Sequence, residues 1–317
     1  MDEEEGVSVI LVTGFLESGK TTFLRDAVTQ EYFQIEDRTL LINCESGEEE
    51  YDPAMLAKYR TDYTEIDSEE NFTPETLAEL DRRFKPGRVL IEYNPLWGMQ
   101  RFEEMKLPEG WEIIQQIGLV DSTTYVVYRT NMKSLFTEMA KYCELFIFNR
   151  ASKEMPLADF RRGIKAANPS CDVVFEDKDG EQIDIFEDRP PYDVTAPVID
   201  IDDADFGIFY IDLGDHRERY EGKTVRFHAQ IGKSKRRRGR TRMVGRRAMT
   251  CCAADIQFLA LPCRDGNIWD FGDGDWVNVT ANVRWVFSKV FKEEEPEFVV
   301  TAAEKAEAPA EELVVFS

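Results

Sequence analysis

The sequence predicts two domains of different class: an α/β domain with a mainly parallel sheet over residues 1–183, and a small β domain over 206–302. Three observations carry this expectation. Residues 13–22 read Thr-Gly-Phe-Leu-Glu-Ser-Gly-Lys-Thr-Thr, set between an apolar run and a helical pattern. As far as about residue 180, short apolar runs alternate with helical patterns, as in a parallel sheet covered by helices. Beyond Phe206 the pattern becomes strand-like and rich in turn residues.

Taken in order, the apolar runs Val7–Val12, Arg38–Asn43, Arg88–Glu92, Ile113–Asp121, Leu145–Asn149 and Asp172–Phe175 predict strands. Helical spacing predicts helices over Lys20–Gln30, Pro53–Tyr59, Pro74–Arg83, Met132–Lys141 and Leu157–Ala167, with Thr73 and Asn131 at N-cap positions. The stretch 184–205 is acidic, holds three prolines between Asp184 and Asp203, and lacks helical periodicity, so it reads as a linker. Thr224–Ile231, Arg247–Cys252, Ile256–Pro262, Trp276–Trp285 and Phe298–Ala302 read as strands of a small barrel, OB-like in size. Residues 303–317, rich in Ala and Glu, read as a flexible acidic tail. No internal repeat is visible.

The segment after the first strand fits the pattern G-x-x-x-x-G-K-[ST], with Gly14, Gly19, Lys20 and Thr21 in the fixed positions. Such a loop turns tightly on its glycines, and its backbone N–H groups converge on a polyphosphate at a helix N-terminus. Gly14, Glu17, Ser18, Gly19, Lys20, Thr21 and Thr22 are therefore the expected nucleotide contacts of a P-loop NTPase domain. Lys20 would reach the β- and γ-phosphates, and the Thr21 hydroxyl would ligate Mg²⁺. Glu92, ending an apolar strand, is the expected acidic partner for Mg²⁺ or the attacking water. Lys20 and Glu92 are thus the expected catalytic pair.

The loop Gly14-Phe15-Leu16-Glu17-Ser18-Gly19-Lys20-Thr21-Thr22 resembles the G-F-L-G-S-G-K-T-T loop of the CobW-like (G3E-type) GTPases and metallochaperones. Asn43-Cys44-Glu45-Ser46-Gly47-Glu48 is similar to that family's N-E-F-G-E stretch. Ile91-Glu92-Tyr93-Asn94-Pro95 falls at its I-E-T-T-G, and Asn149-Arg150-Ala151-Ser152 at its N-K-x-D. The resemblance covers roughly the first 180 residues. It implies Mg²⁺-dependent GTP hydrolysis, delivery of a metal ion or metal cofactor, and base contacts from Asn149 and Arg150. Three positions depart from the family. Pro95 has no N–H to offer a γ-phosphate. Ser152 cannot accept the paired hydrogen bonds of guanine that an aspartate accepts, so ATP stands beside GTP as the expected nucleotide. The family's C-x-C-C is missing from an interval that holds only Cys44.

Composition bounds the setting. The chain has 317 residues and a net charge of −23, which opposes binding of the whole molecule to nucleic acid or anionic lipid. No run approaches the ~18 apolar residues of a membrane span, and Met1-Asp2-Glu3-Glu4-Glu5 is unlike a signal peptide. The expectation is a cytoplasmic protein, peripheral to a membrane only through a partner, with six free or ligating cysteines. The run Glu45–Asp52 reads either as a solvated acidic loop or as a switch segment responsive to nucleotide.

In the second domain, seven of the ten residues 233–242 are basic, and Cys251-Cys252 follow shortly after. The segment from Gly222 to Val277, with Arg246 through Cys251-Cys252-Ala253-Ala254-Asp255, resembles the C-terminal domain of YcgQ-like proteins, which accompany membrane permeases. That resemblance implies a transport-associated setting, with a permease or a metal-receiving protein as partner. Adjacent cysteines on a regular strand point to opposite faces, so one metal, Zn²⁺ for example, would need a strand break and help from Cys263 or Asp255. His216 and His228 are further candidate ligands, and buried free thiols are the alternative. The basic loop would bind single strands, a membrane or permease loop, or the chain's own acidic linker. Two functions follow: nucleotide hydrolysis coupled to metal handling, or nucleotide-dependent regulation of a transport system without metal cargo.

Overall fold

The computed structural model describes residues 6–45, 47, 49–184, 189–232, 241–250, 255–288, 292–314 and 316. They divide into two compact units, 1–185 and 186–317.

Seven strands form the sheet of the first unit: β1 (Val7–Thr13), β2 (Thr39–Asn43), β3 (Thr61–Glu65), β4 (Arg88–Tyr93), β5 (Trp111–Asp121), β6 (Leu145–Asn149) and β7 (Asp172–Phe175). Their order is β3-β2-β4-β1-β5-β6-β7, and all six pairings are parallel. A parallel sheet is covered on both faces, which is why Val9, Ile10, Leu11 and Val12 of β1 are all buried instead of alternating. The helices are α1 (Lys20–Thr29), α2 (Pro53–Lys58), α3 (Pro74–Phe84), α4 (Met99–Glu104), α5 (Tyr125–Asn131), α6 (Lys133–Tyr142) and α7 (Leu157–Lys165). On one face Leu77, Phe102, Met139 and Phe160 pack over Val9, Leu11, Val89 and Phe148. On the other, Leu24 and Val28 of α1 and Leu56 of α2 cover Ile10, Val12, Leu41 and Leu90.

Three elements of this unit were absent from the sequence expectation. β3 reads Thr-Asp-Tyr-Thr-Glu and buries only Thr61, as a polar edge strand does. α4 and α5 are six and seven residues long, too short for a clear period. Thr73 caps α3 by accepting from the Thr76 amide at 3.2 Å. Asn131 is not an N-cap. It ends α5, with its Nδ2 donating back to the Val127 carbonyl at 2.8 Å, and Met132 precedes α6.

The second unit contains β8 (Val198–Ile201), α8 (Phe206–Asp215), α9 (Arg217–Tyr220), β9 (Thr224–Ile231), β10 (Thr241–Met249), β11 (Ile256–Arg264), β12 (Trp276–Phe287), β13 (Glu294–Ala306) and β14 (Leu313–Val314). Strands β9-β10-β11-β13-β12 close on one another, with β11 and β13 parallel and the other four contacts antiparallel. This is a five-stranded Greek-key barrel of the OB type. β8 and β14 extend it by parallel pairing on β9 and β10.

Three expectations are corrected here. The stretch 184–205, read as linker, supplies β8; its acidic Asp200 faces out and pairs with Arg226 on β9 at 2.5 Å. The tail 303–317 begins as the end of β13 and later supplies β14, because apolar Leu313-Val314 finds an unfilled sheet edge. The pattern from about Phe206 reads as strand-like, but Phe206–Asp215 is helical. Phe206, Phe209 and Leu213 lie on one side of α8 and enter the barrel core. No helix among the described residues is long and apolar enough to cross a membrane.

Candidate functional site: the phosphate-binding loop and its carboxylate

The loop joins the end of β1 to the start of α1, beside the end of β4. A Cβ added at Gly14 would lie 2.3 Å from the Leu119 carbonyl oxygen and 2.5 Å from Ser18 Oγ, so no side chain fits there. Gly19 turns the chain with φ 92°. Glu17 also takes a left-handed backbone, φ 63°. The first intrahelical hydrogen bond of α1 runs from the Phe23 amide to the Gly19 carbonyl at 2.9 Å. The amides of Lys20, Thr21 and Thr22 therefore have no acceptor within the helix and sit at its positive end.

Lys20 is buried. Its Nζ donates to the carbonyls of Gly14 at 2.7 Å and Phe15 at 3.1 Å, and pairs with Glu45 at 2.6 Å. Thr21 Oγ1 donates to Glu92 at 2.9 Å and 3.2 Å. Tyr51 donates to Glu92 Oε2 at 2.5 Å. Glu92 is only 2 % exposed. Burial pushes its carboxyl above the usual carboxylate range, against the opposing pull of Tyr51, Lys20 and Thr21. A threonine hydroxyl and a carboxylate side by side are hard oxygen donors, so the residues present suit Mg²⁺.

Asn149 and Arg150 end up gripping the loop. Asn149 Nδ2 donates to the Ser18 carbonyl at 2.7 Å, and Arg150 Nη1 reaches the Glu17 carbonyl at 3.3 Å and Asp121 at 2.7 Å. Gly19, Thr22, Phe23, Asn149, Arg150 and the 176–180 turn line a groove of about 750 Å³ next to the loop. Ser152 hydrogen-bonds the Glu154 side chain and holds that carboxyl below its usual range. After β4, Asn94 caps a short turn: the amides of Leu96, Trp97 and Gly98 are all donated within it, to Asn94 Oδ1, the Asn94 carbonyl and the Pro95 carbonyl. With Pro95 lacking an N–H, this turn directs no amide from 95–98 toward a phosphate.

Two site residues escaped the reading of the sequence. Glu45 and Tyr51 lie in the acidic run read either as a solvated loop or as a switch segment, with neither singled out; Glu45 is nearly buried against Lys20 and Tyr51 is buried against Glu92. The one available signal was the aromatic Tyr51 at the edge of the charge run. Cys44 is buried as well, and burial with the nearby Glu92 and Glu45 charges pushes its thiol up.

The tentative metal residues fare differently. Cys251 and Cys252 lie outside the described residues, as do residues 233–240 of the basic loop. Cys263 is a fully buried member of the barrel core, and burial pushes its thiol up. His216 and His228 belong to different elements; the first contacts Glu218 at 3.2 Å, the second Asp203 at 3.1 Å. Arg246, the arginine of the Cys-Cys motif, is 1 % exposed and donates to Asp203 and to the Glu311 carbonyl. Thr250 and Asp255 hydrogen-bond across the ends of the 251–254 segment.

Residues 181–316 match the family model of the DUF1980 C-terminal domain. The matched residues take in the barrel described above. No curated protein matches the chain. Among solved structures, the hydrogenase maturation factor HypB from Archaeoglobus fulgidus is 13% identical with a TM-score of 0.41, covering 56% of this chain and 85% of that one. The Zn(II)-bound YjiA GTPase from E. coli is 17% identical with a TM-score of 0.42, covering 72% and 74%. FlhF complexed with GMPPNP and Mg²⁺ is 12% identical with a TM-score of 0.38, covering 58% and 72%. At such identities and scores, the fold stands on the sheet order and loop geometry given above.

Proposed function

We propose that the first domain binds a nucleoside triphosphate, GTP or ATP, with Mg²⁺ and hydrolyses it slowly, and that the nucleotide state serves metal handling through the second domain. The observation that carries the nucleotide reading is the convergence of the open amides of α1, Lys20, and the Thr21–Glu92 pair at one strand-to-helix turn. The amides of residues 20–22 would bind phosphate oxygens, and Lys20 would exchange the Glu45 carboxylate for them. Thr21 and Glu92 would hold Mg²⁺, which when bound neutralises charge across the β- and γ-oxygens. Asn149 would keep the loop in shape by holding the Ser18 carbonyl. Catalysis of this kind is positioning and charge stabilisation, so slow turnover without a partner is expected.

Calorimetry of GTP and ATP with Mg²⁺, on the wild type and Lys20→Ala, tests the reading. Loss of about tenfold or more in affinity in the variant is expected, since a charged contact is removed. Unchanged binding would remove Lys20 from the site.

Metal handling rests on the adjacent cysteines Cys251-Cys252. The alternative, a nucleotide-dependent regulatory or assembly subunit of a membrane transport system, draws support from Cys44 and Cys263, which are packed into apolar cores. Zn²⁺ titration of the wild type and of Cys251→Ser/Cys252→Ser separates the two. Stoichiometric binding lost in the variant supports metal cargo; equal background binding in both supports regulation. A cytoplasmic location beside a permease belongs to either version.

A further inference from the structure

We infer that Tyr51 is a positioning residue for the magnesium–nucleotide site, its hydroxyl holding the Glu92 carboxylate in place beside Thr21. The inference rests on the nucleotide reading above and adds a residue to it.

The argument starts from Glu92. A carboxylate 2 % exposed at a strand end needs hydrogen-bond donors on its oxygens, because burying it unpaired is costly. Thr21 has one hydroxyl proton, and its contacts of 2.9 Å and 3.2 Å with the two oxygens share that single donor. Tyr51 supplies the second donor, to Oε2 at 2.5 Å. With both in place the carboxyl plane is fixed between a loop residue and a residue of the segment before α2. Without Tyr51, the carboxylate is free to rotate about Thr21 or toward Lys20.

Tyr51 is itself held rigidly, as a positioning group must be. Its ring packs against Tyr63 with centroids 5.4 Å apart, and it belongs to the apolar cluster that contains Leu56 of α2. The next residue, Asp52, caps α2 by accepting from the Ala54 amide at 2.9 Å, with Pro53 opening the helix. A phenylalanine would fill the same space, so packing alone does not account for the hydroxyl. The neighbouring Tyr63 marks the contrast. Its hydroxyl donates to Glu65 at 2.5 Å and accepts from Asn43 at 3.3 Å, away from Glu92.

The test uses the full chain loaded with nucleotide and Mn²⁺ in place of Mg²⁺, read by electron paramagnetic resonance. Tyr51→Phe should weaken Mn²⁺ affinity about tenfold, the scale of one hydrogen bond to a charged group. It should lower kcat while leaving the nucleotide KM within about twofold. Tyr63→Phe should leave Mn²⁺ affinity at the wild-type value. In a Glu92→Gln background, Tyr51→Phe should add nothing, because its effect passes through the carboxylate. Near-UV dichroism checks folding, and Tyr51→Met carries the same expectation should the Phe variant not fold. Mn²⁺ affinity within about twofold of wild type in Tyr51→Phe, or an equal loss with Glu92 already replaced, overturns the inference. Wild-type protein that binds no nucleotide would instead remove the reading beneath it.

Discussion

The Lys20 ammonium lies 2.6 Å from the Glu45 carboxylate, and the two side chains are 2 % and 10 % exposed. Glu45 is set in place by its own amide, which donates to Asn43 Oδ1 at 3.1 Å at the end of β2. A phosphate group approaching Lys20 must compete with this carboxylate. Glu45→Gln should therefore bind nucleoside triphosphate several-fold more tightly than wild type, while the free protein loses about 1–3 kcal/mol of stability because a buried ammonium has lost its counter-charge. Calorimetric titration and urea unfolding of the same preparation measure the two effects. Weaker nucleotide binding in the variant would assign Glu45 to the nucleotide-bound state instead.

Asn149 holds the loop through the Ser18 carbonyl, to which its Nδ2 donates at 2.7 Å. Asn149→Ala should then weaken GTP and ATP by the same factor, about three- to tenfold for one buried hydrogen bond. A loss confined to one nucleotide would show that the amide reads the base.

Arg246 is the largest fully buried side chain of the molecule's described residues, and its guanidinium joins Asp203, Glu311 and the rings of Phe206 and Trp276. Arg246→Ala should destabilise the barrel by about 2–4 kcal/mol, because deleting so large a buried side chain leaves a cavity and takes the donor from the Glu311 carbonyl. Arg246→Lys should recover little, since one ammonium cannot replace a planar fork. Denaturant unfolding followed by tryptophan fluorescence and far-UV dichroism reports both variants.

Cys44, Cys143, Cys171 and Cys263 are buried. Burial is the main cause that raises each of their thiols, Cys171 to about 12 from 9.0. A thiol whose folded value is raised contributes stability that is complete below its unfolded value and declines as pH rises toward the folded one. For Cys171 that decline spans about pH 9 to 12. Cys171→Ala should therefore flatten the alkaline limb of the stability curve over that window. At pH 8, maleimide should label these four thiols only as fast as the protein unfolds. Rapid native labelling of any of them would contradict its burial.

Much of the first domain was legible because its signals are local. The β1 run, the glycine spacing of the loop and the amphipathic period of α3 or α7 each lie within a few turns of chain. Glu92 was legible because a lone carboxylate closing an apolar strand stands out. β3 was not, because a polar edge strand looks like loop until its neighbour β2 is known. Nor was α8, whose nearly continuous apolar run has too little polar face to display a helical period.

By itself the sequence determined the glycine-spaced loop after β1, the succession of strands and helices around it, and the change to a β domain in the second half, since these follow from short-range sterics and hydrophobic period. Only the tertiary structure decided that Glu45 and Tyr51 turn inward onto Lys20 and Glu92. It also decided that β8 and β14 join the barrel and that β11 lies beside β13. Those outcomes depend on which distant groups can satisfy a buried charge or an open strand edge, and no local pattern carries that information.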